Sequence, residues 1–362
     1  MLDIMSENIK KTYEEYVKKE SLLPIKVSDF YMKKVVEEVQ TIGIGGPLFL
    51  SVIPTMDKLC IHSNVEMRDY VEEYNHMPIS GAEYIIQKYE DRVLVIITEI
   101  CFSHCQYCFR TYNLANFQKS NLKETIKEKI EVLKEYLLRN RKIKEVILSG
   151  GDPLSIGYDN LAYILSELRH WDVRIHTRAI VYAPYVFSDK VIELFSKYNI
   201  RLVFHINHPY EICEVVKKKI EKLNSVGVKL YAQFPLLRGI NDNALVLREL
   251  LIILDELHIR PLSIFISDPI CYGASFRVSF DRIIDIIDEV NWKTPSWINS
   301  VRFVMDTTYG KVRRENIVNR KGNCITFFRE GHYIDYYDLD KGIDVPTDIK
   351  KLFWKADILH KN

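Results

Sequence analysis

The sequence predicts an α/β protein: a partial (βα)6 TIM-type barrel of parallel strands, preceded by a helical extension and followed by a small C-terminal segment. Three observations carry this prediction. From about residue 92, short β-branched runs alternate with amphipathic stretches at the spacing of βαβ crossover units. Six such units fit before about residue 290, too few for a closed eight-fold barrel but enough for an open barrel or a doubly wound sheet. Asp152, Arg178, His205, Asn207, Gln233 and Asp268 fall at or just past the carboxyl ends of the runs, the rim where barrel enzymes build their sites, and this favours the barrel.

Residues 1–90 read as a helix-rich extension with a turn-rich middle from Gly43 to Pro54. Residues 91–300 hold the barrel. Its strands are expected at 93–97, 145–148, 173–176, 202–205, 230–233 and 262–266, each short and rich in β-branched or aromatic residues. Between them, Asn121 to Asn140 sets Ile126, Ile130, Leu133 and Leu137 on one helical face with Lys and Glu opposite, and Glu211 to Val226 and Asn243 to Leu257 follow the same pattern. Residues 301–362 open with a last strand, Val301 to Met305, and continue as a Tyr- and Gly-punctuated stretch that reads as hairpins.

Composition removes several functions. The 362 residues carry 50 Lys+Arg against 49 Asp+Glu, a net charge of +1, so the basic excess that binds nucleic acid or anionic membranes is missing. The first twenty residues mix acids and bases and lack the apolar core of a signal peptide, and no run approaches the ~20 apolar residues that cross a bilayer. A cytoplasmic protein acting on a small molecule is expected.

Seven cysteines are an odd number for a disulfide framework, and their distribution is uneven. Cys60, Cys213, Cys271 and Cys324 are scattered and read as small buried hydrophobes. Cys101, Cys105 and Cys108 crowd into one loop directly after the first barrel strand. Three thiolates at Cys-x3-Cys-x2-Cys spacing wrap a compact soft centre and leave one coordination position open, which points to an iron-sulfur cluster. A structural zinc would need a fourth ligand, and the nearest is His104.

On these residues the chain resembles the radical S-adenosylmethionine (SAM) enzymes. Four further stretches are similar to the lysine 2,3-aminomutase family: Lys88 to Leu94, Ile147 to Leu154 with its Gly-Gly-Asp-Pro, His205 to Pro209, and Gln233 to Asn241. The resemblance covers about residues 85–315 and implies an isomerase of the aminomutase type. Its cofactors would be a [4Fe-4S] cluster, SAM and pyridoxal 5′-phosphate (PLP), and its electron donor a flavodoxin or ferredoxin; a homo-oligomer is compatible with it. By the resemblance, Cys101, Cys105 and Cys108 hold the cluster, while Gly150, Gly151, Asp152, His205 and Gln233 bind SAM. Lys311 carries PLP, whose phosphate meets Lys88 and Arg92. Arg110 pairs with the substrate carboxylate, and Asp268 and Asp306 grip a distal ammonium, so a lysine-like cationic L-amino acid is implied.

Plainer roles compete at several of these positions. Gly-Gly-Asp-Pro is also an ordinary turn, Asp91 and Arg92 can form an ion pair, Lys311 opens a basic run ending at Arg314, and Asp268 precedes Pro269 as turn residues do. The chain also departs from the family pattern. The glycine run before the PLP lysine shrinks to Gly310 behind Tyr309, Phe265 stands where the family has a tyrosine, and only Cys324 lies beyond the barrel where the lysine enzyme binds zinc. A PLP-independent radical SAM epimerase, dehydratase or decarboxylase acting on another polar substrate is the alternative.

Overall fold

The computed structural model describes residues 5–119 and 125–354. Among these, eight strands form one sheet in sequence order: β1 (Ile85–Tyr89), β2 (Arg92–Thr98), β3 (Glu145–Gly150), β4 (Asp172–Thr177), β5 (Arg201–Phe204), β6 (Lys229–Leu236), β7 (Arg260–Ile266) and β8 (Arg302–Val304). β1 and β2 are antiparallel, and every later neighbour pair is parallel. β1 and β8 are the free edges, so the barrel is open. Helices Ile126–Arg139, Tyr158–Glu167, Asp189–Lys197, Glu214–Ser225, Ala244–Glu256 and Phe280–Lys293 connect β2 through β8. These are the six expected βα units, closed by the strand expected at 301–305. The sheet extends past 91–300 at both ends, because β1 pairs with β2 and β8 with β7.

The helices form where the pattern requires. Thr125 and Glu128 make a reciprocal capping box at the start of Ile126–Arg139, and Ile130, Leu133 and Leu137 are buried beneath it. The beginning of the helix expected from Asn121 falls partly outside the described residues.

Strand alternation decides what the barrel holds. Val93 and Val95, Val146 and Leu148, and Val173 and Ile175 are buried under the helices. The intervening positions, Arg92 and Leu94, Ile147 and Ser149, and Arg174 and His176, line a cavity inside the curved sheet. A closed barrel fills this space with bulky aliphatic layers. Here four of these six inward positions are polar, so the interior stays hollow.

Two appendages frame the hollow. The N-terminal extension, with helices Glu7–Glu20 and Asp29–Ile42, packs against the cysteine loop. At the C-terminus β9 (Ile317–Lys321), β10 (Cys324–Arg329) and β11 (His332–Tyr337) form an antiparallel meander that delivers Arg329 to the cavity. No helix among the described residues is long and apolar enough to cross a membrane.

Candidate active site

Every residue singled out from the sequence for cluster, SAM, PLP or substrate lines one cavity of about 870 Å³. Its construction is clearest at the cysteine loop. The residues between the cysteines are clamped from outside by the N-terminal extension: Ser28 N donates to Ser103 Oγ (3.0 Å), His104 N to Lys26 O (2.8 Å), and Gln106 N to Ser51 O (3.0 Å). His104, the sequence candidate for a zinc ligand, instead sets its Nδ1 2.7 Å from Pro24 O, away from the cavity. Among the described residues no three Cys, His, Asp or Glu side chains converge on a single ion. A cuboidal cluster takes each thiolate at a separate iron and so spaces its ligands more widely.

Cys101, Cys105 and Cys108 all face the cavity. Burial raises the pKa of each thiol, Cys108 to about 11; neighbouring sulfurs add to the rise at Cys101 and Cys108, while Arg178 and Tyr182 oppose it at Cys105. Cys105 Sγ lies 3.2 Å from Tyr182 Oη and 3.8 Å from Arg178 Nη1. Three soft donors with a guanidinium beside them fit an anionic iron-sulfur cluster.

Arg178 is held by Glu211, a fully buried acid that sequence reasoning missed. Glu211 also accepts from Tyr31 Oη (2.8 Å) and from Asn207 N (2.6 Å). It thereby ties the helix Asp29–Ile42 to the rims of β4 and β5.

The glycine pair also has a reason within the backbone itself. A Cβ on Gly150, at φ +122°, would lie 2.4 Å from Thr98 O, and one on Gly151 would lie 2.4 Å from Ile100 O. Both glycines are therefore required by the backbone that enters the cysteine loop, as well as facing the cavity. Asp152 is employed within the chain too: it accepts from Thr177 Oγ1 (2.8 Å), Arg178 N (2.9 Å) and Leu154 N (3.1 Å). Burial pushes its pKa up to about 6.

Gln233 sits inside β6 rather than at its end, at a register shift against β7. Its Nε2 lies 3.2 Å from His205 Nε2 and 3.3 Å from His176 Nδ1, and burial lowers the pKa of both imidazoles. Neutral rings with fixed hydrogen-bond directions suit recognition of a nucleoside.

Lys311 reaches the cavity through a tight return. Met305 and Val312 exchange backbone hydrogen bonds at 2.9 Å, Gly310 N donates to Thr307 O (3.0 Å), and Gly310 adopts φ +102°. The single remaining glycine thus suffices for the turn. Lys311 Nζ stands 4.7 Å from the centroid of Phe265, and its pKa is lowered, first by burial and then by Arg174, Arg92 and Lys88 against an opposing contribution from Asp306. Arg174 and Arg329 line the same cavity, and the buried Nε of each has no hydrogen-bond partner among the described residues. These orphaned donors beside Lys88 and Arg92 fit an anionic group such as the phosphate of PLP. Arg92 also forms the anticipated pair with Asp91, at 3.0 Å.

The substrate residues carry internal partners. Lys88 Nζ lies 3.0 Å from Asp306 Oδ1. Arg110 pairs with Glu73 and donates to Ser149 Oγ (3.0 Å). Asp268 has its pKa pushed up to about 8, by burial first and by Asp306 second.

The Radical SAM superfamily model matches residues 95–251. The chain is 30% identical to L-lysine 2,3-aminomutase of Methanococcus maripaludis, over 85% of this chain and 71% of that protein. It is 33% identical to the Buchnera aphidicola enzyme of the same name, over 67% and 71%, and 32% identical to glutamate 2,3-aminomutase of Clostridioides difficile, over 71% and 64%. Among solved structures, Streptococcus suis SuiB bound to S-adenosylmethionine aligns with a TM-score of 0.46 and 16% identity, covering 61% of this chain and 51% of that one. The radical SAM domain implies a [4Fe-4S] cluster and SAM. The chain belongs to the radical SAM superfamily and, within it, to the lysine 2,3-aminomutase family, and it is an isomerase of the aminomutase type.

Proposed function

We propose that the protein is a PLP-dependent 2,3-aminomutase that moves the α-amino group of a cationic, lysine-like L-amino acid to its β-carbon. The observation that carries this reading is the sharing of one cavity by the three cysteines, Lys311 and the Asp268–Asp306 pair. When bound, the cluster and SAM supply a hydrogen-abstracting radical, and PLP supplies a carrier for the migrating nitrogen.

The chain's own residues do the rest. Cys101, Cys105 and Cys108 would hold the cluster, with Arg178 offsetting its charge at Cys105. His205 and Gln233, with Gly150, Gly151 and Asp152 along the rim, would orient SAM. Lys311 presents an amine whose lowered pKa favours the neutral, nucleophilic form. Lys88, Arg92 and the orphaned donors of Arg174 and Arg329 would fix the phosphate. Arg110 would orient the substrate carboxylate, and Asp268 and Asp306 would receive the distal ammonium.

The test is borohydride trapping of protein reconstituted anaerobically with PLP, followed by peptide mass analysis. A pyridoxyl adduct on Lys311 that disappears in Lys311→Ala is expected. An unmodified Lys311 would remove PLP from the reading.

A further inference from the structure

We propose that Glu73 determines specificity at this site by occupying Arg110 until a free α-carboxylate takes its place, so that a free amino acid is accepted and an amide-linked or decarboxylated one is refused. This rests on the reading of Arg110 as the substrate-carboxylate arginine.

The pair is built like a substrate complex. Arg110 Nε lies 3.0 Å from both Glu73 carboxylate oxygens and Nη2 lies 2.5 Å from Oε1, so the edge of the guanidinium that would bind a substrate carboxylate is already filled. Nη1 is turned to Ser149 Oγ. Both side chains are only 8% exposed, and both residues line the cavity.

A third carboxylate has no place beside them. Asp69 stands next to Glu73; its carboxylate accepts from the backbone of Glu73 and Tyr74, its buried Oδ2 finds no partner among the described residues, and its pKa is raised by burial and then by Glu73. Two acids already face one arginine. An incoming carboxylate must therefore replace Glu73 rather than join it, and the exchange of one anion for another leaves Arg110 satisfied throughout. A neutral amide brings no charge to exchange, and an amine brings the wrong one.

Glu73 is carried by a segment suited to release it. Residues 67–76 contain one 3-10 turn, Glu73–His76, and lie across the rim as a strap. Apart from Glu73 itself, its ties to the rest of the chain are polar and lie near the surface of the site: Met67 to Pro269 and Cys271, Arg68 to Glu20 (3.9 Å) and over the Tyr112 ring, Tyr70 Oη to Met305 Sδ (3.6 Å), Tyr74 Oη to Asn113 Oδ1 (2.9 Å), and His76 Nε2 to Thr308 O (3.1 Å). Glu72, directly before the pair, is held at φ +51°, a left-handed conformation that costs a non-glycine residue energy. The same strap touches the loops bearing Asp268 and Asp306, so its movement reaches all three substrate positions.

The experiment uses the full chain reconstituted with PLP, with L-lysine and L-lysinamide as probes. Hydrogen exchange across residues 67–76 is expected to rise when L-lysine binds and to stay unchanged with L-lysinamide, which should bind about tenfold or more weakly by calorimetry. Glu73→Gln is expected to bind L-lysine several-fold more tightly and to show fast strap exchange before any ligand is added. If L-lysine binds with the strap unchanged, or L-lysinamide binds as well as L-lysine, Glu73 and Arg110 form a structural pair and the proposal is overturned. If neither probe binds wild type or Glu73→Gln, the amino-acid reading of the site falls, and the role of Glu73 with it.

Discussion

The two ends of the cavity are built on different principles. At the cluster end the polar groups are committed to one arrangement. Glu211 is fully buried and engages Arg178, Tyr31 and Asn207, while two separate stretches of the N-terminal extension, at Lys26–Ser28 and at Ser51, pin the cysteine loop. At the substrate end the cations expected to meet ligands already have acidic partners within the chain: Arg110 with Glu73 and Lys88 with Asp306. A site that holds a resident inorganic centre gains from a fixed shell. A site that admits and releases a charged molecule instead needs internal partners that can be exchanged.

The largest effect should come from breaking the fixed end. Glu211→Gln leaves Arg178 buried beside an incomplete partner and is expected to cost about 3–5 kcal/mol of unfolding free energy, with loss of iron on reconstitution. Asp306→Asn, at a pair whose side chains are 15% and 35% exposed, should cost under about 1 kcal/mol. Urea unfolding of the two variants side by side measures the contrast, and equal losses would erase the distinction between the two ends.

The next effect is a pH dependence confined to the substrate end. Burial, with Asp306 adding to it, pushes the pKa of Asp268 from 3.8 up to about 8. The folded state therefore holds this proton over a range in which the unfolded chain has lost it. Its contribution is complete at low pH and is lost as pH rises through about 8. Asp268→Asn should thus gain stability relative to wild type between pH of roughly 5 and 8, as read from urea midpoints. A cationic ligand favours the carboxylate, so its binding to wild type should release a proton, which calorimetry in buffers of different ionisation heat detects. A flat difference in stability together with proton-neutral binding would contradict the burial of Asp268.

What the sequence made legible follows the same division in physical terms. The cysteine loop, the glycine pair and Lys311 lie in contiguous stretches, so their spacing carries the information. Glu211 meets Arg178 across 33 residues, Glu73 meets Arg110 across 37, and Ser28 meets Ser103 across 75; pairs so distant leave no periodic signal. Arg174 and His176 were hidden for another reason. On β4 they alternate with buried Val173 and Ile175, a pattern equally proper to a strand with one face in solvent. Only the curvature of the sheet turns that polar face into the wall of a cavity. The close approach of Thr98 to Gly150 and of Ile100 to Gly151 is likewise a tertiary fact that no sequence pattern carries.

The smallest predicted effect isolates one aromatic ring. Lys311 Nζ lies over Phe265 at 4.7 Å from its centroid, and a ring face stabilises the ammonium form by about 1 kcal/mol. Burial and three nearby cations work in the opposite direction and prevail, so the ring only moderates a pKa that is already lowered. Phe265→Leu keeps the apolar contact but removes the ring, and should shift the pH profile of Lys311 trapping by PLP and borohydride to lower pH by at most about one unit. A shift to higher pH would mean that the ring acts chiefly by excluding water, because the leucine variant would then have admitted solvent that stabilises the ammonium. The sign of this shift therefore decides whether the surroundings of Lys311 are tuned by charge or by desolvation, and the fixed cluster end offers no comparable test.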